Sequence, residues 1–397
     1  MIDERIIDKL VDRLTNRIEQ GNTYVLKQIG KNIKQIGSVS PSKRYQLAQV
    51  LKYGGNYDKI VKKLAEITNL NVRDIYDIFE EVAKKDYIFA EQFYKYRNKK
   101  YIPYEDNIEL QRQVKAIANI TAKEYINISK TMGFATTRNG KRTYTSLSKM
   151  YQQVIDEGII SISQGKETFD SNMSRIIKEL SNSGIRQIDY ASGYSRRLDS
   201  SVRMNVKEGL SSLHNEIQQQ FGKEFGSDGV EISTHEFPAP DHEDIQGLQY
   251  SNEDYEKLND KLERPIGTKN CYHYIFSIIM GVSEPNHTKK ELKEIKKRNK
   301  KGFEFEGKKY TMYEGTQLQR RLETEMRKEQ DMQIMAKASL PNAKQEDLPK
   351  IKNKILESQK TLKQLTESYI DLSRVSGLST RLERTRVSGY KRTKVAK

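Results

Sequence analysis

Ile6-Ile7-Asp8-Lys9-Leu10-Val11-Asp12-Arg13-Leu14-Thr15-Asn16-Arg17-Ile18 places its apolar residues in one stripe at helical spacing and its charges on the other positions. The segment predicts an amphipathic helix with one buried face. A second stripe follows at Leu110, Val114, Ile117 and Ile120. The eight prolines stand at 41, 103, 238, 240, 265, 285, 341 and 349, so residues 104–237 can carry long helices without interruption. Within that span, Phe134–Tyr144 holds Arg138-Asn139-Gly140-Lys141 between short β-prone runs and predicts a tight hairpin. Helical pattern resumes from Ser146 to Gln220, with Gly165, Gly184 and Gly193 as expected helix ends.

Residues 226–287 break the pattern, with four of the eight prolines and every histidine except His214. Next, Phe303–Met312 alternates apolar and polar residues about Gly307, which predicts a second hairpin. Helix returns from Thr316 to about Ala338. Pro341 and Pro349 precede a last helix with Ile351, Ile355, Leu362, Leu365, Tyr369 and Leu372 on a 4-3 spacing interrupted at Ser358. That spacing fits a short coiled coil or a helix packed on any partner. The expected fold is therefore mainly α: an elongated helical protein with two small β-hairpins and a loop-rich His/Cys motif region. Its expected regions are 1–130 (helical), 131–225 (hairpin and helices), 226–287 (acidic motif region), 288–345 (basic hairpin and helix) and 346–397 (helix and disordered basic tail).

Composition narrows the class. No run of about 18 apolar residues occurs, which excludes a membrane-spanning helix. The single cysteine, Cys271, cannot pair within the chain and suits a reducing compartment. Met1-Ile2-Asp3-Glu4-Arg5 shows no apolar signal core, so no export leader is expected. Gly302–Lys308 has the spacing of a phosphate-binding loop, but Lys309 stands where its Ser or Thr belongs, and the alternating Phe303 and Phe305 argue for a strand.

The net charge of +16 is unevenly spread. Residues 288–397 contain 29 Lys/Arg against 15 Asp/Glu, whereas residues 226–263 contain 11 acidic residues and 2 lysines. A basic surplus of this size favours a polyanionic partner, because each phosphate neutralised releases a counterion. The alternative is a solvated helical surface. The tail 374–397 repeats Arg-Val-Ser-Gly at 374–377 and 386–389. Its cations, Arg374, Arg381, Arg384, Arg386, Lys391, Arg392, Lys394 and Lys397, are the expected contacts to double-stranded DNA.

His235, His242, Cys271 and His273 are the ligand types a tetrahedral zinc site requires, with Asp241 placed to orient a ligand imidazole. The spacing matches no standard finger, and a set of histidines that hydrogen-bond within a loop region explains it too. A third reading makes Cys271 a nucleophile activated by a histidine, in a metal- or cysteine-dependent hydrolase. The acidic residues upstream would raise its pKa, and the paired cysteines of a zinc deaminase are absent.

Three stretches carry a likeness. The first runs from Ser163-Gln164-Gly165 through Tyr190-Ala191-Ser192-Gly193 to Arg196-Arg197-Leu198-Asp199-Ser200-Ser201-Val202-Arg203. The second holds Ser233-Thr234-His235, Pro238-Ala239-Pro240-Asp241-His242, Gln246-Gly247, Arg264-Pro265-Ile266-Gly267-Thr268, Asn270-Cys271-Tyr272-His273 and Gly281-Val282-Ser283. The third is Tyr310-Thr311-Met312-Tyr313-Glu314 with Gln317, Gln319-Arg320, Glu323 and Arg327. Over roughly residues 1–340 the chain resembles the phage minor capsid protein 2 family, related to the Mu F-type head morphogenesis proteins of tailed bacteriophages. The resemblance implies a structural virion protein present in few copies in the capsid and implies no demonstrated enzyme activity. With the charge distribution it leads to the expectation of a non-enzymatic protein on the portal or the inner head shell, assembled in the host cytoplasm. Its implied partners are portal and capsid proteins and packaged DNA. Glu236-Phe237-Pro238 departs from the family pattern, where many relatives have a small residue and an arginine. A third course for the chain is a nucleic-acid-binding protein outside the virion.

Overall fold

Val11, Leu14, Val25 and Leu26 are fully shielded from solvent on one face of helix α1 (Glu4–Ser38), the face that the opening stripe defines. The computed structural model describes residues 4–38, 56–88, 91–96, 99–138, 141–163, 169–188, 194–268, 271–342, 345 and 348–391. Helices α2 (Asn56–Ile88), α3 (Glu91–Tyr96) and α4 (Ile108–Lys130) follow. Asn107 caps α4 by accepting the Leu110 amide at 3.0 Å. Its buried face runs through Leu110, Val114, Ala118, Ala122, Tyr125 and Ile128, so Ile120, expected on the stripe, points to solvent. Alternating steps of four and three keep a face aligned on a 3.6-residue helix, whereas position 120 falls off it.

The first expected hairpin is present as β1 (Met132–Arg138) and β2 (Lys141–Ser146), paired from Gly133↔Ser146 to Arg138↔Lys141. Two helices, α5 (Leu147–Ser163) and α6 (Phe169–Ser183), separate it from β3 (Arg186–Ile188) and β4 (Ser195–Arg197). These add to it, giving an antiparallel sheet in the order β2-β1-β3-β4. Gly184 ends α6 with φ +58°, and its Cβ position would lie 2.6 Å from the Arg197 guanidinium, so the site accepts only glycine. Gly165 and Gly193 lie outside the described residues.

Helix α7 (Leu198–Phe225) is the axis of the molecule. Val202, Val206, Leu210, Leu213 and Ile217 are buried along it, and one apolar core joins them to α1, α2, α4, α5 and α6. That core continues without interruption across the sequence boundary at 130.

The motif region is loop-rich, as its composition predicts, and holds a small sheet and a short helix. It contains β5 (Gly229–Ile232), β6 (Gln249–Ser251), helix α8 (Asn252–Lys261) and β7 (Ile275–Ile278), with the strands in the order β6-β5-β7 around Val230, Ile232, Ile266 and Ile275. Strands of three or four residues are too short to show a period-two pattern. Helix α9 (Lys289–Lys301) starts at a capping box between Thr288 and Glu291. The second expected hairpin is β8 (Phe303–Phe305) and β9 (Lys308–Tyr310), turned by Glu306 and Gly307 at φ 49° and 73°. No phosphate loop forms there.

Helix α10 (Met312–Ser339) begins four residues before the expected Thr316, at a second capping box between Thr311 and Glu314. The last helix, α11 (Leu348–Ser376), runs antiparallel along it, so its partner is a helix of the same chain. Gln319 meets Ser373, Glu323 accepts from the Tyr369 hydroxyl, and Gln333 donates to Ser358 at 3.0 Å. Ser358, the polar break in the apolar spacing, is buried and bonds Glu329 and Gln333, which converts the interruption into a register mark.

The tail corrects an expectation. Residues 377–391 are ordered against the body rather than free. Both Arg-Val-Ser-Gly repeats end in a left-handed glycine, at Gly377 (φ 75°) and Gly389 (φ 81°), which turns the chain back onto the body. Leu378 and Val387 are buried, Gln330 receives the Val387 amide and donates to the Thr385 carbonyl, and Thr23 donates to Ser388. Low apolar content is a poor guide here because two buried apolar side chains, the buried Thr385 and several polar side-chain bonds suffice when the docking surface is already built. No helix among the described residues is long and apolar enough to cross a membrane.

Candidate functional site

Antiparallel pairing of β5 with β7 sets Ile232 opposite Ile275, so the residues just after β5 and just before β7 run side by side. The Ser233 amide donates to the Tyr274 carbonyl at 2.8 Å and extends that pairing toward His235 and His273. Between β5 and β6 a tight loop carries His242, closed by the His242 amide on the Ala239 carbonyl (2.9 Å) and by Gly247 at φ 70°. Cys271 stands on the approach to β7, with its amide on the Thr268 carbonyl at 2.8 Å.

The result brings three of the four expected ligands together. One donor atom each from His242, Cys271 and His273 lies within 4.8 Å of the others, and both imidazoles are 2% exposed. Cys271 Sγ is 3.6 Å from His242 Nδ1 and 3.4 Å from His273 Nδ1. His235 does not join that set: it is stacked on Tyr272 with ring centroids 4.9 Å apart and meets the His273 ring edge-on at 5.7 Å. Asp241 holds the Arg264 guanidinium at 2.5 Å and lies 3.6 Å from His242 Nε2. Asn270 is outside the described residues. Burial keeps His273 neutral, pushing its pKa down to about 3 with help from the neighbouring histidines and Arg264. His235 is lowered to about 4 by burial and by Lys207 and Arg320. Burial also pushes the Cys271 thiol up, against a nucleophile poised as thiolate.

Behind Tyr272 lies a charged knot that the sequence reading did not single out. Lys207 Nζ sits 2.7 Å from the Tyr272 hydroxyl and 2.6 Å from Asp8 Oδ1. Arg381 and Arg384 reach the other Asp8 oxygen at 2.6 and 2.7 Å. Although burial opposes ionisation, Lys207, Arg384 and Arg381 hold the Asp8 carboxyl down to about 2. Two of the expected DNA contacts, Arg381 and Arg384, thus face inward. Arg374 pairs with Asp371, Arg386 and Lys391 are exposed, and Arg392, Lys394 and Lys397 lie outside the described residues. Nothing in the sequence marks Lys207 or Asp8: each reads as an ordinary polar position on a helix.

The three stretches that carry the family likeness converge. A cleft of about 480 Å³ is walled by His235, His242, Cys271 and His273, by Tyr313, Gln317 and Arg320 of α10, and by Arg381 and Arg384 of the tail. It adjoins a second hollow of about 340 Å³ that shares Tyr272, Arg320, Glu323 and Arg384 with it and adds Asp199, Arg203 and Arg327. Asp199 and Arg327, 128 positions apart in the chain, touch at 2.5 Å. The profile of the family described as phage minor capsid protein 2 matches residues 2–367. The chain belongs to the phage minor capsid protein 2 family. No curated protein and no solved structure matches the chain. The match extends past residue 340 into α11 and stops short of the docked tail. This minor capsid protein is accordingly a phage structural protein of the virion. Phe237, in the run that departs from the family pattern, is one of two non-glycine residues with positive φ among the described residues (55°), and it lines the cleft.

Beneath the second hollow this minor capsid protein buries three carboxylates against two guanidiniums. Arg197 contacts Asp199 at 3.4 Å and Asp331 at 3.3 Å, while Arg327 contacts Asp199 at 2.5 Å and Glu19 at 3.7 Å. Three buried acids cannot all ionise cheaply beside two cations. Arg327 and Arg197 overcome burial to hold Asp199 low, whereas burial and Asp199 push Glu19 up. Burial pushes Asp331 up to about 6, from 3.8. A raised carboxyl binds its proton more tightly in the folded state, so its stabilisation is complete below about 4 and fades as pH rises through about 6. Unfolding free energy should fall by about 2–3 kcal/mol from this group between pH 4 and pH 7. Urea titrations should show a flatter pH dependence for Asp331→Asn than for the parent; parallel curves would contradict the assignment.

Proposed function

We propose that this minor capsid protein sits on the portal or the inner head shell with its basic C-terminal part facing packaged DNA, and acts in head assembly, genome retention or ejection. Helix α9 carries the reading. It has eight Lys/Arg and two Glu in 13 residues, and Asn299 is its only buried residue. Its inner side rests on the acidic segment: Asn299 bonds Glu243 at 3.2 Å, Lys296 pairs with Asp244, and Arg298 lies 3.9 Å from Glu236. Lys289, Lys290, Lys293, Lys297, Lys300 and Lys301 are exposed and form no salt bridge among the described residues. An acidic face that anchors the helix and an exposed cationic face that points away from it give a sequence-independent phosphate contact. The tail contributes less than its composition promised, since Asp8 already neutralises part of it.

Binding to linear double-stranded DNA should weaken with salt. Changing Lys289, Lys293, Lys297 and Lys300 together to glutamine should reduce the slope of log K against log salt by up to about 3.6, at about 0.9 for each phosphate no longer neutralised. An unchanged slope would remove α9 from the DNA interface. A reduction no greater than that of an Arg374→Gln/Arg386→Gln double variant would move the contact to the tail.

A further inference from the structure

We infer that His242, Cys271 and His273 form a three-ligand zinc site whose fourth coordination position opens into the basic cleft. The argument rests on where the protons must be. His242 Nε2 lies 2.7 Å from the Arg264 backbone carbonyl, an acceptor only, so that nitrogen carries the hydrogen. His273 Nε2 lies 3.1 Å from Gln246 Oε1. The His235 backbone N–H donates to that same oxygen at 2.9 Å, which fixes it as the amide oxygen and makes His273 Nε2 a donor as well. Both Nδ1 atoms therefore present lone pairs, and both point at Cys271 Sγ. One thiol hydrogen cannot serve two lone pairs. A cation bound by two neutral imidazoles and a thiolate satisfies all three donors at once.

The spacing agrees. Zinc bonds of about 2.3 Å to sulfur and about 2.0–2.1 Å to nitrogen, at tetrahedral angles, put sulfur and nitrogen about 3.5 Å apart. The observed separations are 3.6 and 3.4 Å. Carbonyl partners on the outer imidazole nitrogens are the usual device that orients metal-bound histidines. Loading the site moves the Cys271 proton to solvent, because the thiolate is the ligand.

His235 is the natural fourth candidate, yet its ring lies on Tyr272, and Lys207 pins that phenol from behind at 2.7 Å. The three ligands lie in the wall of the cleft, which Arg264, Arg320, Arg381 and Arg384 line together with Glu236 and Glu323, so a remaining position open to the cleft meets four guanidiniums and two carboxylates. Three protein ligands and one exchangeable position make an open zinc site, and the surrounding guanidiniums favour an anion there.

The full-length protein purified with zinc should contain one equivalent by elemental analysis, and Cys271→Ser or His273→Ala should lose it. His235→Ala should retain it; loss in that variant would replace the open site with a closed four-ligand one. Cobalt substitution supplies a second readout. Sulfur-to-cobalt charge transfer near the ultraviolet edge should vanish in Cys271→Ser, and adding azide should shift the visible cobalt bands of the parent. A cobalt spectrum unmoved by azide would overturn the open position. Failure of the folded parent to bind zinc or cobalt would overturn the site altogether, and it would leave the DNA reading untouched.

Discussion

Arg197→Met should lower the stability of the protein by about 3–5 kcal/mol at pH 7.5, the usual cost of stripping one partner from a buried ion pair. The guanidinium is 7% exposed and stands between Asp199 and Asp331, which is fully buried. Methionine fills much of the same volume, so the loss reports charge rather than a cavity. Without Arg197, Asp331 keeps Asn22 at 3.1 Å as its hydrogen-bond partner among the described residues, with the Arg327 charge farther off. The cost should shrink at pH 5, where Asp331 can take up a proton and needs no counter-ion. Chemical denaturation at the two pH values tests this. An equal loss at both would assign the effect to packing. The network joins α1, the start of α7, α10 and the tail, so its failure should also loosen the cleft that these elements wall.

Ending the chain after Ser376 should cost about 3–5 kcal/mol, in contrast to the neutral outcome expected of a free basic tail. The deletion exposes the surface covered by Leu378 and Val387, each contributing roughly 1.5–3 kcal/mol by burial. It leaves both ends of the Gln330 side chain without partners, at roughly 1–3 kcal/mol. The backbone entropy of ordering residues 377–391 opposes these gains, and the ion pairs of Arg381 and Arg384 with Asp8 add to them. Asp8 retains Lys207 but loses Arg381 and Arg384, so its pKa should rise from about 2. The Asp8 contribution is present above about 4 and is lost as pH falls toward 2, so the truncated protein should lose stability to acid at a higher pH than the parent. Thermal melts from pH 2.5 to 7 measure both effects. A truncated form as stable as the parent would show that the docked tail holds nothing.

Helix α1, both hairpins, the helices α10 and α11 and the helix end at Gly184 were legible in the sequence, because each signal is local: a 3.6-residue stripe, a turn dipeptide, a glycine. That α11 packs on α10 was not legible, since its spacing fits any partner. The His/Cys set was legible as a list of ligand types. Which three of the four converge was not, since that follows from β5 and β7 pairing across 42 residues between Ile232 and Ile275. Gln246 illustrates the gap. Nothing local tells that its Oε1 accepts from both His235 and His273 and thereby sets a tautomer. Lys207 and Asp8 are a starker case, being charged residues on helix faces that become interior where Tyr272 covers Lys207 and the tail's Arg381 and Arg384 close on Asp8.

By itself, then, the sequence determined the helical class, the two hairpins, the family and the separation of an acidic stretch from a basic end. Those properties depend on residues within one or two helical turns of each other, or on composition and motif order. The tertiary structure alone decided that three distant motifs share one cleft, that the tail docks, and that Arg381 and Arg384 turn inward onto Asp8. Burial decides all three, because a charge far from its partner in the chain becomes an internal tie only when folding removes both from water.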